Sequence, residues 1–148
     1  MKLSTRGRYA ARAMLDLALN YRQEPVVLSA VARRQQISEQ YLEQLIVPLK
    51  VAGLVRSVRG PNGGFMLAKP PSLIRISHII RAVEGSTAMV ECVDNPQACP
   101  LADDCLTRGV WVKATEAVNN VFSSITLQDL VDKKAEEMML PSGSMYNI

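Results

Sequence analysis

A chain of 148 residues is long enough to bury its own core, and 48% apolar against 21% charged residues excludes a disordered or fibrous protein. No apolar run approaches the roughly eighteen residues of a membrane span, which excludes a bilayer protein. The net charge of +3 hides a division: residues 1–90 carry 13 Lys and Arg against 5 Asp and Glu, a balance of +8, and residues 91–148 carry 4 against 9, a balance of −5. A basic first part suits binding of a polyanion, and equally a solvated basic face; charge alone does not separate the two.

Ser4 is placed to cap a first helix whose Tyr9, Ala10, Ala13, Met14, Leu17 and Tyr21 fall on one stripe, with Arg6, Arg8, Arg12 and Arg22 on the other side. After Glu24-Pro25, Ser29 reads as the cap of a short helix over Ala30 to Gln35. A turn at Gln36-Ile37 leads to Ser38, a third cap, and a helix from Glu39 to Ala52. Two helices joined so briefly, with Val31, Ile37, Leu42, Leu45 and Leu49 between them, form a helix-turn-helix. Ser38, Gln40, Tyr41, Glu43 and Gln44 then lie on the outer side of the second helix. Their hydroxyls and amides suit phosphates and base edges, and Glu43 can accept from a cytosine amine. Pro48 is expected to kink or loosen that helix near Gln44.

Gly53 ends the helix, and Leu54 to Val58, a turn over Arg59 to Gly64, and Phe65 to Ala68 read as a two-stranded wing. Arg59 and Gly60 at its tip are candidates for minor-groove contact. Beyond Lys69-Pro70-Pro71, a helix carrying Ile76, Ile79, Ile80 and Val83 closes at Gly85; His78, the single histidine, falls on its polar side and reads as a surface residue.

All three cysteines crowd into one segment, Cys92-x6-Cys99-x5-Cys105, with Pro96 and Pro100 breaking any helix between them. Such a loop can bring three sulfurs together as ligands of a soft metal or an iron–sulfur cluster, one ligand short of a full set. A disulfide with one free thiol, structural zinc and unconnected buried cysteines are the competing readings. Nothing near Met1 resembles a secretory signal, so the thiols are expected in a reducing cytoplasm. From Cys105 a long helix should run toward Ser124, its band of Leu106, Val110, Trp111, Val118 and Val121 too wide for one neighbour, which suggests a dimerisation helix. Thr126 to Asp129 forms a capping box for a last helix, and Pro141 to Ile148 reads as a loose tail.

The expected fold is mainly α with a small β-hairpin: a winged helix-turn-helix domain over 1–85, a cysteine-containing loop over 86–105, dimerisation and C-terminal helices over 106–140, and a tail over 141–148. One histidine, no Ser-His-Asp set, no phosphate loop and no nicotinamide fingerprint argue against an enzyme.

These features together resemble the iron–sulfur cluster regulators of the IscR and NsrR type, bacterial winged-helix transcription factors, and the IscR side of that family above all. The likeness runs from Met1 to about Val131. It rests on Lys2 to Tyr9, on Ile37-Ser38 followed by Tyr41 to Leu45, on Gly53-Leu54-Val55 through Ser57 to Gly64, on Ala82-Val83-Glu84, and on the three cysteines with Leu106-Thr107. The resemblance implies a homodimer on palindromic double-stranded DNA, base recognition by Glu43 and Arg59, and a [2Fe–2S] cluster held by Cys92, Cys99 and Cys105. The family's usual fourth-ligand positions are occupied here by Arg108 and Arg8. Two readings stand beside this one: an interaction module without DNA, stabilised by zinc or thiol chemistry, and a regulator of the same fold without a cluster.

Overall fold

The computed structural model describes residues 2–140; the expected tail, 141–148, lies outside the described residues. Helix α1 (Thr5–Leu19) turns Ala10, Ala13, Met14 and Leu17 inward at the spacing of one helical face. Around it pack α2 (Leu28–Gln35), α3 (Glu39–Val51), α4 (Ile76–Glu84) and α7 (Leu127–Met139). The hairpin joins β1 (Val55–Val58) to β2 (Gly64–Leu67), antiparallel, with Val55 opposite Leu67 and Val58 opposite Gly64. Among the described residues, no helix is long and apolar enough to cross a membrane.

The start of α1 is capped from a distance. Ser4 stands at the N-cap position, yet its hydroxyl caps nothing. The carboxylate of Glu84, at the other end of α4, accepts instead from the Ser4 and Gly7 amides, each at 3.0 Å, and from the Ser4 hydroxyl. Beside it Arg6 Nε donates to the Val83 carbonyl at 3.1 Å. Two free amides at a helix start are thus satisfied by one acidic group 77 to 80 residues away, which also suits the helix dipole. Glu84→Ala should cost about 1 kcal/mol in a thermal or urea melt. Glu84→Gln, which keeps an acceptor oxygen, should cost less, and equal losses would show that the cap contributes little.

Two local expectations need correction. Helix α2 begins at Leu28, so Ser29 lies within its first turn and Val27 takes the cap position without a side-chain bond. Burial of Leu28 and Val31 against the core fixes that start where no polar cap does. Helix α3 stays helical through Pro48 to Val51, so it does not loosen at Gln44, although the proline nitrogen has no proton to give that carbonyl. Val26 pairs with Phe65 as an isolated bridge: Phe65 N donates to Val26 O at 2.8 Å and Val26 N to Phe65 O at 3.0 Å.

Beyond α4 the chain leaves this core and then returns. Residues Glu91–Asp94 form the single turn α5, 3-10 turns follow at Pro96–Ala98 and Ala102–Asp104, and α6 (Leu106–Ser124) runs back past α4. On its return, Ile76 N donates to Ile125 O at 2.9 Å and Leu127 N to Ile74 O at 2.8 Å. Leu127 is fully buried in the winged-helix core and Val131 packs against it, a contact that a division at residue 85 does not anticipate. The capping box at its head is present, Thr126 Oγ1 accepting from Asp129 N at 3.1 Å and Asp129 Oδ2 from Thr126 N at 2.9 Å.

Candidate functional site

Helix α3 has two faces. Leu42, Leu45, Ile46 and Leu49 are buried, which leaves Gln40, Glu43 and Gln44 pointing outward. Ser38 caps the helix through Oγ, which accepts from Tyr41 N at 3.1 Å, so the reading helix starts at a defined residue. Tyr41 is not fully outward as expected: it is half-buried, and its ring meets that of Tyr9 edge-on, centroids 5.9 Å apart at 88°. Arg12 lies over the same Tyr9 ring, 5.5 Å from its centroid, and bonds the side chain and carbonyl of Gln35. These contacts tie α1, α2 and α3 together, so Arg12 has a packing task besides any phosphate it reaches.

Sequence reasoning missed Val47. It is 61% exposed and continues the Gln40, Glu43, Gln44 row at one further turn. A valine at helical spacing reads as core, yet an apolar group on this face is what a thymine methyl would meet. Only the register of the buried row, settled by Leu42, Leu45 and Leu49, could have revealed it.

The turn between α2 and α3 is held by Gln36 in the left-handed region, φ +54°, with Ile37 N bonded to Ala32 O at 3.0 Å. On the wing, Arg59 and Gly60 are exposed at the tip, and Gly60 has φ +109°. Arg59 therefore projects from the same end of the molecule's hairpin that the turn residues build, as the sequence suggests.

The cysteine segment is organised by α6. Cys92, Cys99 and Cys105 are free thiols, each half-buried. The structure leaves their expected convergence unmade: among the described residues no three His, Cys, Asp or Glu side chains group closely enough to hold a metal ion. The donor chemistry still fits a thiophilic centre. Bonding to the Thr107 hydroxyl, Sγ to Oγ1 at 3.2 Å, pushes the Cys105 thiol below its usual range, and the Arg108 amide and charge add to this against a small effect of burial. Arg108 ties the segment to α6: its Nε donates to the Cys92 carbonyl at 3.0 Å.

Helix α6 also has two faces. Thr115 is buried, its Oγ1 donating to Trp111 O at 2.8 Å and accepting from Met89 N at 3.3 Å, and Asn119 bonds Thr87. On the opposite side Leu106, Val110 and Val121 are 93%, 56% and 55% exposed. Part of the apolar band expected from the sequence is thus uncovered within one chain, while Val118 is half-buried.

The family model of Rrf2, described as an iron-dependent transcriptional regulator, matches residues 3–133. The transcriptional regulator IscR of Klebsiella pneumoniae is 41% identical over 146 residues, 99% of this chain and 88% of the relative. Among solved structures, IscR of T. potens superposes with a TM-score of 0.78 at 42% identity, covering 99% of this chain and 96% of that one. CymR (YrzC), the global cysteine regulator of B. subtilis, does so with a TM-score of 0.76 at 38% identity, covering 90% and 98%.

Proposed function

Because this chain belongs to the Rrf2 family of transcriptional regulators, and acts by binding DNA, we propose that it senses iron–sulfur cluster status or redox state from the cytoplasm, as a homodimer on a palindromic operator. The observation that carries the sensing part is placement. The three cysteines lie in a segment bonded by Arg108 to α6 on one side and continuous with α4 on the other. Cys92, Cys99 and Cys105 would hold a cluster of [2Fe–2S] type, which when bound adds sulfur-ligated iron able to change charge. The segment's own residues do the rest. Its turns at Pro96–Ala98 and Ala102–Asp104 set where the thiols lie, and Glu84, at the end of α4, fixes the start of α1. A change of order in 91–105 is thereby passed to the body that carries Ser38, Gln40, Tyr41, Glu43, Gln44, Arg59 and Gly60.

The uncovered band of Leu106, Val110 and Val121 supports two copies meeting through α6, with two α3 helices and two wings set at half-site spacing. Anaerobic reconstitution, followed by visible absorption, sedimentation and operator binding, tests the reading. A coloured dimer whose operator affinity differs from that of the metal-free protein is expected. Equal affinity removes the coupling, and a colourless, iron-free protein that still binds its operator favours the second reading, a regulator of this fold without a cluster.

Arg59→Ala should weaken operator binding by about 1–3 kcal/mol if the guanidinium reads a base. Loss of the same size on unrelated duplexes would mark it as a phosphate contact alone.

A further inference from the structure

A cavity of about 630 Å³ lies between α4, the loop at Gly85–Thr87 and α6, a size at which proteins take small organic ligands. Its walls are unusual for a gap between packed helices. Arg75 and Arg81 line it together with His78, and Asp94 is the one acid that does. Neither arginine is in an ion pair among the described residues. Arg75 uses Nη1 on the Ser123 carbonyl at 2.7 Å, which leaves the remaining guanidinium protons for other acceptors.

The first turn of α4 opens on this space through Ser77 and His78. His78 Nδ1 accepts from Arg75 N at 3.1 Å, which directs the proton of the neutral ring to Nε2 as a donor. Burial, then the charges of Lys69, Arg75 and Arg81, hold that imidazole below its ordinary range, so the field here is positive. Arg75 stands at the N-cap of α4 and Arg81 in its last turn, and two guanidiniums on one cavity form a receptor for a doubly charged oxyanion. Thr87 and Asn119 add hydroxyl and amide groups, and Ile80 with Phe122 supplies an apolar wall.

The cavity is also on the side of α6 that stays accessible. Asn119, Phe122 and Ser123 face it, about half a turn round from Leu106, Val110 and Val121, so a partner on the apolar band would leave it open. We propose that this cavity binds a small phosphate-bearing metabolite with a hydroxylated body, the phosphate held by the guanidiniums of Arg75 and Arg81. None of the three cysteines lines it, and Asp94 is the one residue of their segment that does.

His78 is the only histidine of the chain, so its imidazole gives a single set of NMR signals. The labelled full-length protein would be titrated at constant ionic strength with ribose 5-phosphate, with inorganic phosphate, with ribose and with a duplex lacking any operator. Ribose 5-phosphate should shift the His78 signals saturably and raise the pH at which they titrate; inorganic phosphate should do so more weakly, and ribose not at all. Arg81→Gln, a change at an exposed residue, and Asn119→Asp, which sets a carboxylate on the wall, should each weaken the response at least about tenfold. A linear response, one unchanged in both variants, or one produced as strongly by the duplex would overturn the proposal.

Discussion

Arg34→Met is expected to remove about 2–3 kcal/mol of stability at neutral pH and to reverse the way stability changes with acid. Asp16, in the middle of α1, is 3% exposed. Its carboxylate accepts from Arg34 Nη2 at 2.6 Å and Nε at 2.9 Å, and from Gln35 Nε2 at 3.0 Å. Burial alone would push the Asp16 pKa up; the hydrogen bonds from Arg34 and Gln35 and the arginine charge outweigh it, and the carboxyl titrates below its ordinary value. A carboxyl depressed on folding adds stability that is present above the unfolded-state value, about pH 4, and is lost as pH falls through the folded one. Without Arg34, burial is opposed only by Gln35 and the shift turns upward. The variant should then lose stability as pH rises through the carboxylate range, where the parent gains it. Urea melts at several pH values between 3 and 7 decide the matter, and parallel curves would mean that the pair contributes nothing. Because Arg34 and Gln35 close α2, the loss should also appear as weaker operator binding.

Gly64→Ala should cost about 2–3 kcal/mol and detach the wing from the body. A Cβ at Gly64 would lie 2.5 Å from the Val26 carbonyl oxygen and 2.7 Å from its carbon. Both are backbone atoms, held by the double hydrogen bond between Val26 and Phe65, so neither can swing aside as a side-chain end would. Relief requires β2 to leave Val26, and Arg59 moves with it. Specific binding should therefore fall much further than binding to unrelated duplexes. Gly60→Ala is the control: nothing lies within 4 Å of its Cβ, and only the φ of +109° opposes the change, for about 1 kcal/mol. Equal effects of the two substitutions would show that the Val26 bridge does not position the wing.

Features governed by near neighbours were legible in the sequence. Ser38 caps α3, Thr126 and Asp129 form their box, and the hairpin turns where its Gly, Pro and Asn stand, because each depends on residues two to five positions away. The fold class followed from these and from the 3.6-residue spacing of the α1 and α3 cores. What distance in sequence conceals was missed. Glu84 as the cap of α1, Val26 as the bridge partner of Phe65 and Leu127 in the winged-helix core all join segments far apart in the chain. Val47 was missed for a local reason: an apolar residue beside the inner row reads as core until the register of Leu42, Leu45 and Leu49 is followed, which sets it on the outer face. The candidate DNA face was otherwise readable, apart from Tyr41, which leans on Tyr9. The cysteine segment was readable as a crowding of three thiols and not as a shape: Cys92, Cys99 and Cys105 are free and form no close group among the described residues.

Residues 86–124 leave the core after Glu84 and come back to it at Ile125 and Leu127, whose backbones are bonded to Ile76 and Ile74. That stretch is therefore an insert with both ends anchored, not an appendage on a finished module. Cutting the gene after codon 85 would leave a hole where Leu127 belongs, whereas a short graft joining position 85 to position 125 would keep the plug. The same architecture lets the insert be exchanged for another of different length while the winged-helix body stays whole.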